Sequence, residues 1–420
     1  MMEHLLLILA LAAGFYMAWN IGANDVANAF GTSVGSGVIT FKQALVLAAI
    51  FEFSGALLVG SQVADTIKGN IVQPAAFAGQ PEVFAIGMLA SLLAAGIWLN
   101  IATYLGQPVS TTHSIIGAVL GFGLVATQSL DSVQWHKMGR IAASWFISPI
   151  VGGVLACLIY FAIRKFVMRH ANPAQRATRT LPFAWAAVLF VMSFSALSEL
   201  LPRTLSSAAA KSNAHALALP ASLLLAGVAW AVARRLVRAH QNDPSESLES
   251  QYKLVEFRFG RLQILTACFM AFAHGANDVA NAIGPIAGIL QALQGSIAAK
   301  TVVPLWVLAF GGVGIVIGLG TYGYKVMAAV GSKITEVTPT RGFSAEFGTA
   351  TTVLISSMLG LPISTTFVLV GSVMGIGIAR GFGAIDLAVV KRIFLSWLIT
   401  IPCSAAICSL LFGILRAVLL

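Results

Sequence analysis

The octapeptide Gly22-Ala23-Asn24-Asp25-Val26-Ala27-Asn28-Ala29 returns letter for letter as Gly275-Ala276-Asn277-Asp278-Val279-Ala280-Asn281-Ala282. An aspartate between two asparagines, in segments otherwise fit for lipid or protein interior, is expensive to bury and points to function. In a helix Asn24 and Asn28 stand one turn apart on the same face, with Asp25 beside them. The result is a cluster of amide and carboxylate oxygens suited to a hard cation or a proton. A helix cap or an interhelical polar contact accounts for one such cluster. Its duplication argues for a site.

Working outward, the chain of 420 residues is 58% hydrophobic and only 10% charged, where soluble chains carry roughly a quarter charged residues. Apolar segments recur from end to end, which predicts an all-α polytopic membrane protein with about 10–12 transmembrane segments, some broken or re-entrant. Forty glycines suit close helix contacts. The net charge of +10 sits in loops between apolar segments, so it reads as a topology signal and not as a nucleic-acid surface. Met1 to Trp19 lacks a basic leader region, so no cleavable signal is expected. Cys157, Cys268, Cys403 and Cys408 fall in apolar spans without CxxC spacing, as small packing residues, and no cofactor is expected.

The two halves are repeats. Met17 to Gly31 aligns with Met270 to Gly284 at an offset of 253, and Pro108-Val109-Ser110-Thr111-Thr112 aligns with Pro362-Ile363-Ser364-Thr365-Thr366 at 254. Gly117, Gly121 and Gly123 keep step with Gly371, Gly375 and Gly377. The expected organisation is a membrane repeat over 1–170, two linking transmembrane helices over 171–240, a polar cytoplasmic linker over 241–258 and a second membrane repeat over 259–420. Segments 24–40 and 277–292 are short and glycine-rich, and each is expected to be a half-helix or re-entrant piece.

Basic loops give the orientation. Arg164, Lys165, Arg169, Arg176 and Arg179 form one loop, and Arg234, Arg235, Arg238, Lys253, Arg258 and Arg261 another. Both are placed in the cytoplasm, together with Lys325, Lys333, Arg341, Arg380, Lys391 and Arg392; Lys137 and Arg140 are left near the outer face. An odd number of crossings then separates the first span from its copy. The repeats are antiparallel, an inverted-topology pair of the kind found in secondary transporters.

At membrane depth the ionisable residues are Asp25, Glu52, His113, His274, Asp278 and Glu346, with no Lys or Arg among them. Alone, this set indicates a cation site. The paired Ser-Thr-Thr segments change the reading. A proline, three hydroxyls and an apolar helical pattern mark a helix start, where free N–H groups and hydroxyls make an anion cradle. Ser110, Thr111 and Thr112 in one half, and Ser364, Thr365 and Thr366 in the other, are the candidates for anion contact. An anion and an aspartate about 4 Å apart repel by about 4 kcal/mol at an effective dielectric of 20, roughly a thousandfold in affinity. Cations on the aspartate clusters remove that penalty, so cation and anion binding are coupled.

The two octapeptides, the paired P-[VI]-S-T-T segments, Phe51-Glu52-Phe53 and Arg341-Gly342-Phe343-Ser344-Ala345-Glu346 resemble the inorganic phosphate transporter family over nearly the whole chain. The resemblance implies uptake of inorganic phosphate by symport with Na+ or H+ as a multi-pass protein of a bacterial plasma membrane. It implies that Asp25, Asn28, Asp278 and Asn281 hold the coupling cations and that the Ser-Thr-Thr segments hold phosphate. Glu52, His274 and Glu346 match family positions tied to binding or coupling. The partners are phosphate and the lipid bilayer, with a homodimer left open. Rival readings are a permease for sulfate or another tetrahedral oxyanion, and a cation exchanger built from acidic inverted repeats. An exchanger needs no paired hydroxyl helix starts. An intramembrane hydrolase using Ser110 and His113 would lack a nucleophile elbow or any reason for duplication.

Overall fold

The computed structural model describes residues 2–105, 109–205, 213–238, 247–295, 303–323, 338–381 and 387–420. Within these the chain is almost wholly helical. The helix α1 (Met2–Gly35) ends before Gly37, whose φ of 73° suits a residue without a Cβ. Thr40 then caps α2 (Phe41–Val59): its hydroxyl accepts from the Gln43 N–H, and the Gln43 side chain accepts from the Thr40 N–H. A short α3 (Ser61–Gly69) follows, then α4 (Pro81–Tyr104), which opens on a proline whose missing N–H costs nothing there. α5 (Thr111–Thr127) and α6 (Trp135–Ile163) complete the first half, α6 running on into one π turn.

α7 (Pro173–Thr204) and α8 (Ala214–Arg238) form a hairpin packed chiefly on itself. The second half comprises α9 (Leu248–Asp278), α10 (Ala280–Leu293), α11 (Leu305–Gly318), α12 (Pro339–Met358), α13 (Thr365–Arg380) and α14 (Leu387–Leu419). Among the described residues eight helices are long and apolar enough to cross a membrane. Their outer faces carry large exposed apolar side chains, such as Ile150, Leu158, Leu224 and Leu398, which lipid covers without penalty.

Three expectations need correction. Residues 24–35 are no separate half-helix, because α1 runs through the octapeptide unbroken. In the second half the helical ladder is interrupted at Val279, whose backbone itself stays helical (φ −56°, ψ −33°), and α10 carries Pro285, which cannot donate to the Asn281 carbonyl four residues back. The first-half counterpart of Pro285, at the offset of 253, is Thr32, which imposes no such break. The span read through residue 64 stops at Val59, and α3 starts a new helix from Gly60. The polar linker is also shorter than read, since α9 starts at Leu248; Gln241 to Glu246 lie outside the described residues, as do Pro108, Lys325 and Lys333.

The halves interleave. α1 packs on α11, α2 on α9, α4 on α10, α5 on α14, and α6 on α12 and α13. Each of the two main apolar clusters draws residues from both halves. Glycines permit the closest crossings. A Cβ on Gly22 would lie 1.9 Å from the Ile315 carbonyl oxygen of α11, and one on Gly275 would lie 2.1 Å from that of Glu52 on α2. These are the first residues of the two octapeptides, so two of the tightest helix contacts sit beside the aspartates.

Candidate functional site

The two Ser-Thr-Thr segments open α5 and α13, and they open them alike. Ser110 is the N-cap of α5, its hydroxyl accepting from the His113 N–H at 3.2 Å; Ser364 caps α13 and accepts from the Phe367 N–H at 3.4 Å. Capping turns the following threonines towards the aspartates. The N–H groups of Thr111, Thr112, Thr365 and Thr366 are the orphan donors of the two first turns, and they find no acceptor among the described residues. The two helix starts meet: the Thr112 hydroxyl donates to the carbonyl of Ile363 at 3.0 Å.

Around this junction the halves exchange ligands. On α1, the Asn28 side-chain amide donates to Asp25 Oδ1 at 3.2 Å and to the Thr366 hydroxyl of the other half at 2.8 Å. Thr366 in turn donates to Asp25 at 3.5 Å. Across the junction, Asn281 donates to Asp278 at 3.3 Å and to the Thr112 hydroxyl at 3.2 Å. The Thr112 hydroxyl, whose one proton is shared with the Ile363 carbonyl, lies 3.3 Å from Asp278 Oδ1, and Thr365 donates to Asp278 Oδ2 at 3.0 Å. Each aspartate–asparagine pair is thus reached by one threonine of the opposite half, Thr366 for Asp25 and Thr112 for Asp278, while Thr365 serves Asp278 from its own half.

His274 ties the two clusters together. Its Nε2 lies 2.9 Å from Asp278 Oδ2 and 3.9 Å from Asp25 Oδ2, while Nδ1 lies 3.1 Å from Glu52 Oε1 on α2. One imidazole therefore stands among three carboxylates. The ligand atoms of Asp25, His274 and Asp278 all lie within 4.8 Å of one another. Hard cations favour oxygen, so the carboxylate, amide and hydroxyl oxygens are the atoms here that could hold one, with the His274 ring standing between the two clusters. Asn277 Oδ1, Asn281 Oδ1 and Glu52 Oε2 are buried oxygens with no donor among the described residues. Unpaired buried acceptors fit a cation.

The clusters are unequally sealed. Asn277, Asp278 and Asn281 are each 0% exposed, and Asn277 is held by the Ser357 hydroxyl of α12 at 2.9 Å. In the Asp25 cluster Asn24 and the Thr366 contributed by the other half are half-buried, and Asn24 accepts from Thr103 of α4 at 3.2 Å.

Glu346 stands apart from the residues with which it was grouped. Its carboxylate accepts from Thr32 at 2.5 Å, Ser33 at 2.8 Å, Gln263 at 3.2 Å and Thr266 at 2.6 Å. Ser33 lies eight residues beyond Asp25 on α1, about 12 Å along the axis. Sequence reasoning missed Thr32, Ser33, Gln263 and Thr266. Their signal was present as polar side chains at one-turn spacing, Gln263 and Thr266 on an otherwise apolar face. His113 packs against Trp145 and Phe367, with ring centroids 4.1 and 5.2 Å away, in an aromatic setting behind the helix starts.

A helical membrane fold with duplicated polar clusters at crossed helix starts is the architecture of a solute transporter. The family model described as "Phosphate transporter family" matches residues 21–408. The chain belongs to that family, and is a phosphate transporter, not an enzyme. It is 47% identical to inorganic phosphate transporter 2-1, chloroplastic, of Arabidopsis thaliana, over 94% of this chain and 70% of that protein. It is 45% identical to a putative phosphate permease of Chlamydia pneumoniae over 98% and 99% of the two chains, and 45% identical to one of Pyrococcus abyssi over 97% and 98%. A solved structure titled "The sodium-dependent phosphate transporter" superposes with a TM-score of 0.89 at 40% identity, covering 98% of this chain and 99% of that one.

Proposed function

We propose that this transporter takes up inorganic phosphate by symport with sodium, across a bacterial plasma membrane. Inverted repeats over 1–170 and 259–420 would share one site at their junction. Asp25 with Asn28, and Asp278 with Asn281, hold the cations; Ser110, Thr111, Thr112, Ser364, Thr365 and Thr366 form the two helix starts whose N–H groups and hydroxyls receive phosphate. The observation that carries this reading is the exchange of threonines between halves, Thr366 reaching Asp25 and Thr112 reaching Asp278, which sets each carboxylate against the opposite helix start. Phosphate near a bare aspartate is repelled. Sodium between them turns repulsion into mutual attraction, and that is the coupling.

Sodium is favoured over protons by the donor set. A proton needs one carboxylate oxygen, whereas each cluster also presents a neutral amide and threonine hydroxyls, the ligand types of a hard metal ion. The similar solved structure is described as sodium-dependent. Phosphate is favoured over sulfate because it retains an O–H near neutral pH, and Asp25 and Asp278 offer acceptors beside the helix starts. The His274 imidazole and Glu52 hold Asp278 in position, and Glu346 holds α1, α9 and α12 together on the coupling path.

Purified protein in liposomes provides the test. Labelled phosphate should accumulate under an inward sodium gradient, with little effect of excess sulfate. Accumulation driven equally by a proton gradient in sodium-free buffer would overturn the choice of ion; equal competition by sulfate would overturn the choice of anion.

A further inference from the structure

One side chain outside the proposed ligand set reaches both helix starts. Trp145 lies on α6 and is buried. Its indole N–H donates to the carbonyl of Pro362 at 3.1 Å, two residues before Ser364, the cap of α13. Its ring packs on that of His113, with centroids 4.1 Å apart and planes inclined at 56°. His113 is the third residue of α5, and its backbone N–H donates to the capping hydroxyl of Ser110. The His113 ring also packs, at 5.2 Å, on Phe367, the third residue of α13, whose N–H donates to the Ser364 hydroxyl.

α6 holds the indole in place. A Cβ on Gly371 of α13 would lie 2.2 Å from the Pro149 carbonyl oxygen of α6, and one on Gly375 would lie 2.0 Å from that of Gly153. The two helices therefore run backbone to backbone, starting one turn beyond Trp145. An indole has two side-chain torsions, so from a fixed backbone it makes a short, stiff spacer. The other link between the starts is the Thr112 hydroxyl on the Ile363 carbonyl. Trp145 adds a link that shares no atom with it. An anion received by both first turns needs their N–H groups at one spacing, and its apparent affinity falls with the fraction of molecules that have that spacing.

We infer that Trp145 is a positioning residue for phosphate, setting the gap between the starts of α5 and α13. Its one polar hydrogen is engaged by Pro362, so it acts through the two helix starts and not on the anion. This rests on the reading of those starts as the phosphate site.

The test compares Trp145→Phe and Trp145→Leu with Ser364→Ala, by sodium-driven uptake in liposomes and by calorimetric titration of phosphate at saturating sodium. Phenylalanine keeps a ring for His113 and loses the N–H; leucine loses both. KM and Kd for phosphate should rise up to about tenfold in Trp145→Phe, the scale of one hydrogen bond, and further in Trp145→Leu. Turnover at saturating phosphate should fall by less than KM rises. A side chain that only stabilises the fold would lower the melting temperature and the amount of active protein, leaving KM unchanged. Trp145→Phe, the milder change, keeps the comparison open where Trp145→Leu does not fold. Unchanged KM and Kd in Trp145→Phe, with raised values in Ser364→Ala, would overturn the inference and leave the phosphate site standing. Unchanged values in all three variants would overturn both. Loss of turnover without a rise in KM would also overturn the inference.

Discussion

Replacing Asp278 by Asn removes one charge with almost no change of shape, and the coupling argument assigns it an effect of unusual sign. Phosphate received by the N–H groups of Thr365 and Thr366 would sit next to Asp278, whose Oδ2 already accepts from the Thr365 hydroxyl at 3.0 Å. With an ordinary N–H···O distance the two charges are about 6 Å apart. At an effective dielectric of 20 they repel by about 3 kcal/mol, roughly a hundredfold in affinity. In sodium-free buffer Asp278→Asn should therefore bind phosphate more tightly than wild type, by up to about a hundredfold. Sodium should tighten wild type strongly and the variant weakly, through the Asp25 cluster that remains, and concentrative uptake should be lost. Calorimetric titration of phosphate with and without sodium measures both terms. A variant that binds more weakly than wild type without sodium would refute the reasoning, as would wild-type affinity indifferent to sodium.

Other substitutions probe the scaffold. Gly275→Ala places a methyl 2.1 Å from the Glu52 carbonyl oxygen; the helices must part, so thermal stability and uptake should fall together, whereas Cys403→Ala on α14 should change neither. Glu346→Ala strands the donors Thr32, Ser33, Gln263 and Thr266 at about 1–3 kcal/mol for each that stays unsatisfied; Glu346→Gln should retain more of the melting temperature. Ser364→Ala removes the cap of α13 and should cost about 1 kcal/mol in a denaturation assay, with weaker phosphate binding as the helix start frays.

Much of this was legible in residue order. Composition determines that the chain is a helical membrane protein, because a bilayer leaves no other way to satisfy this many apolar backbone segments. The doubled octapeptide and the doubled Ser-Thr-Thr segment name the candidate site residues, which the fold brings to one junction, because polar atoms recur in apolar surroundings only where something holds them. Register within one helix, such as Asn28 above Asp25, also follows from local geometry.

Tertiary structure alone decided the rest. That Asp25 meets Thr366, and Asp278 meets Thr112, depends on how α1, α5, α9 and α13 cross, and no local rule relates positions 341 or 166 residues apart. The bridge from Glu52 through His274 exists because Gly55 and Gly275 let α2 and α9 touch backbone to backbone. The separate burial of Glu346 depends on the same crossings. Sequence records which side chains are costly to bury, a property of each residue and its neighbours. Packing chooses which of them share that cost, because partners for a buried charge must come from whatever helix lies alongside.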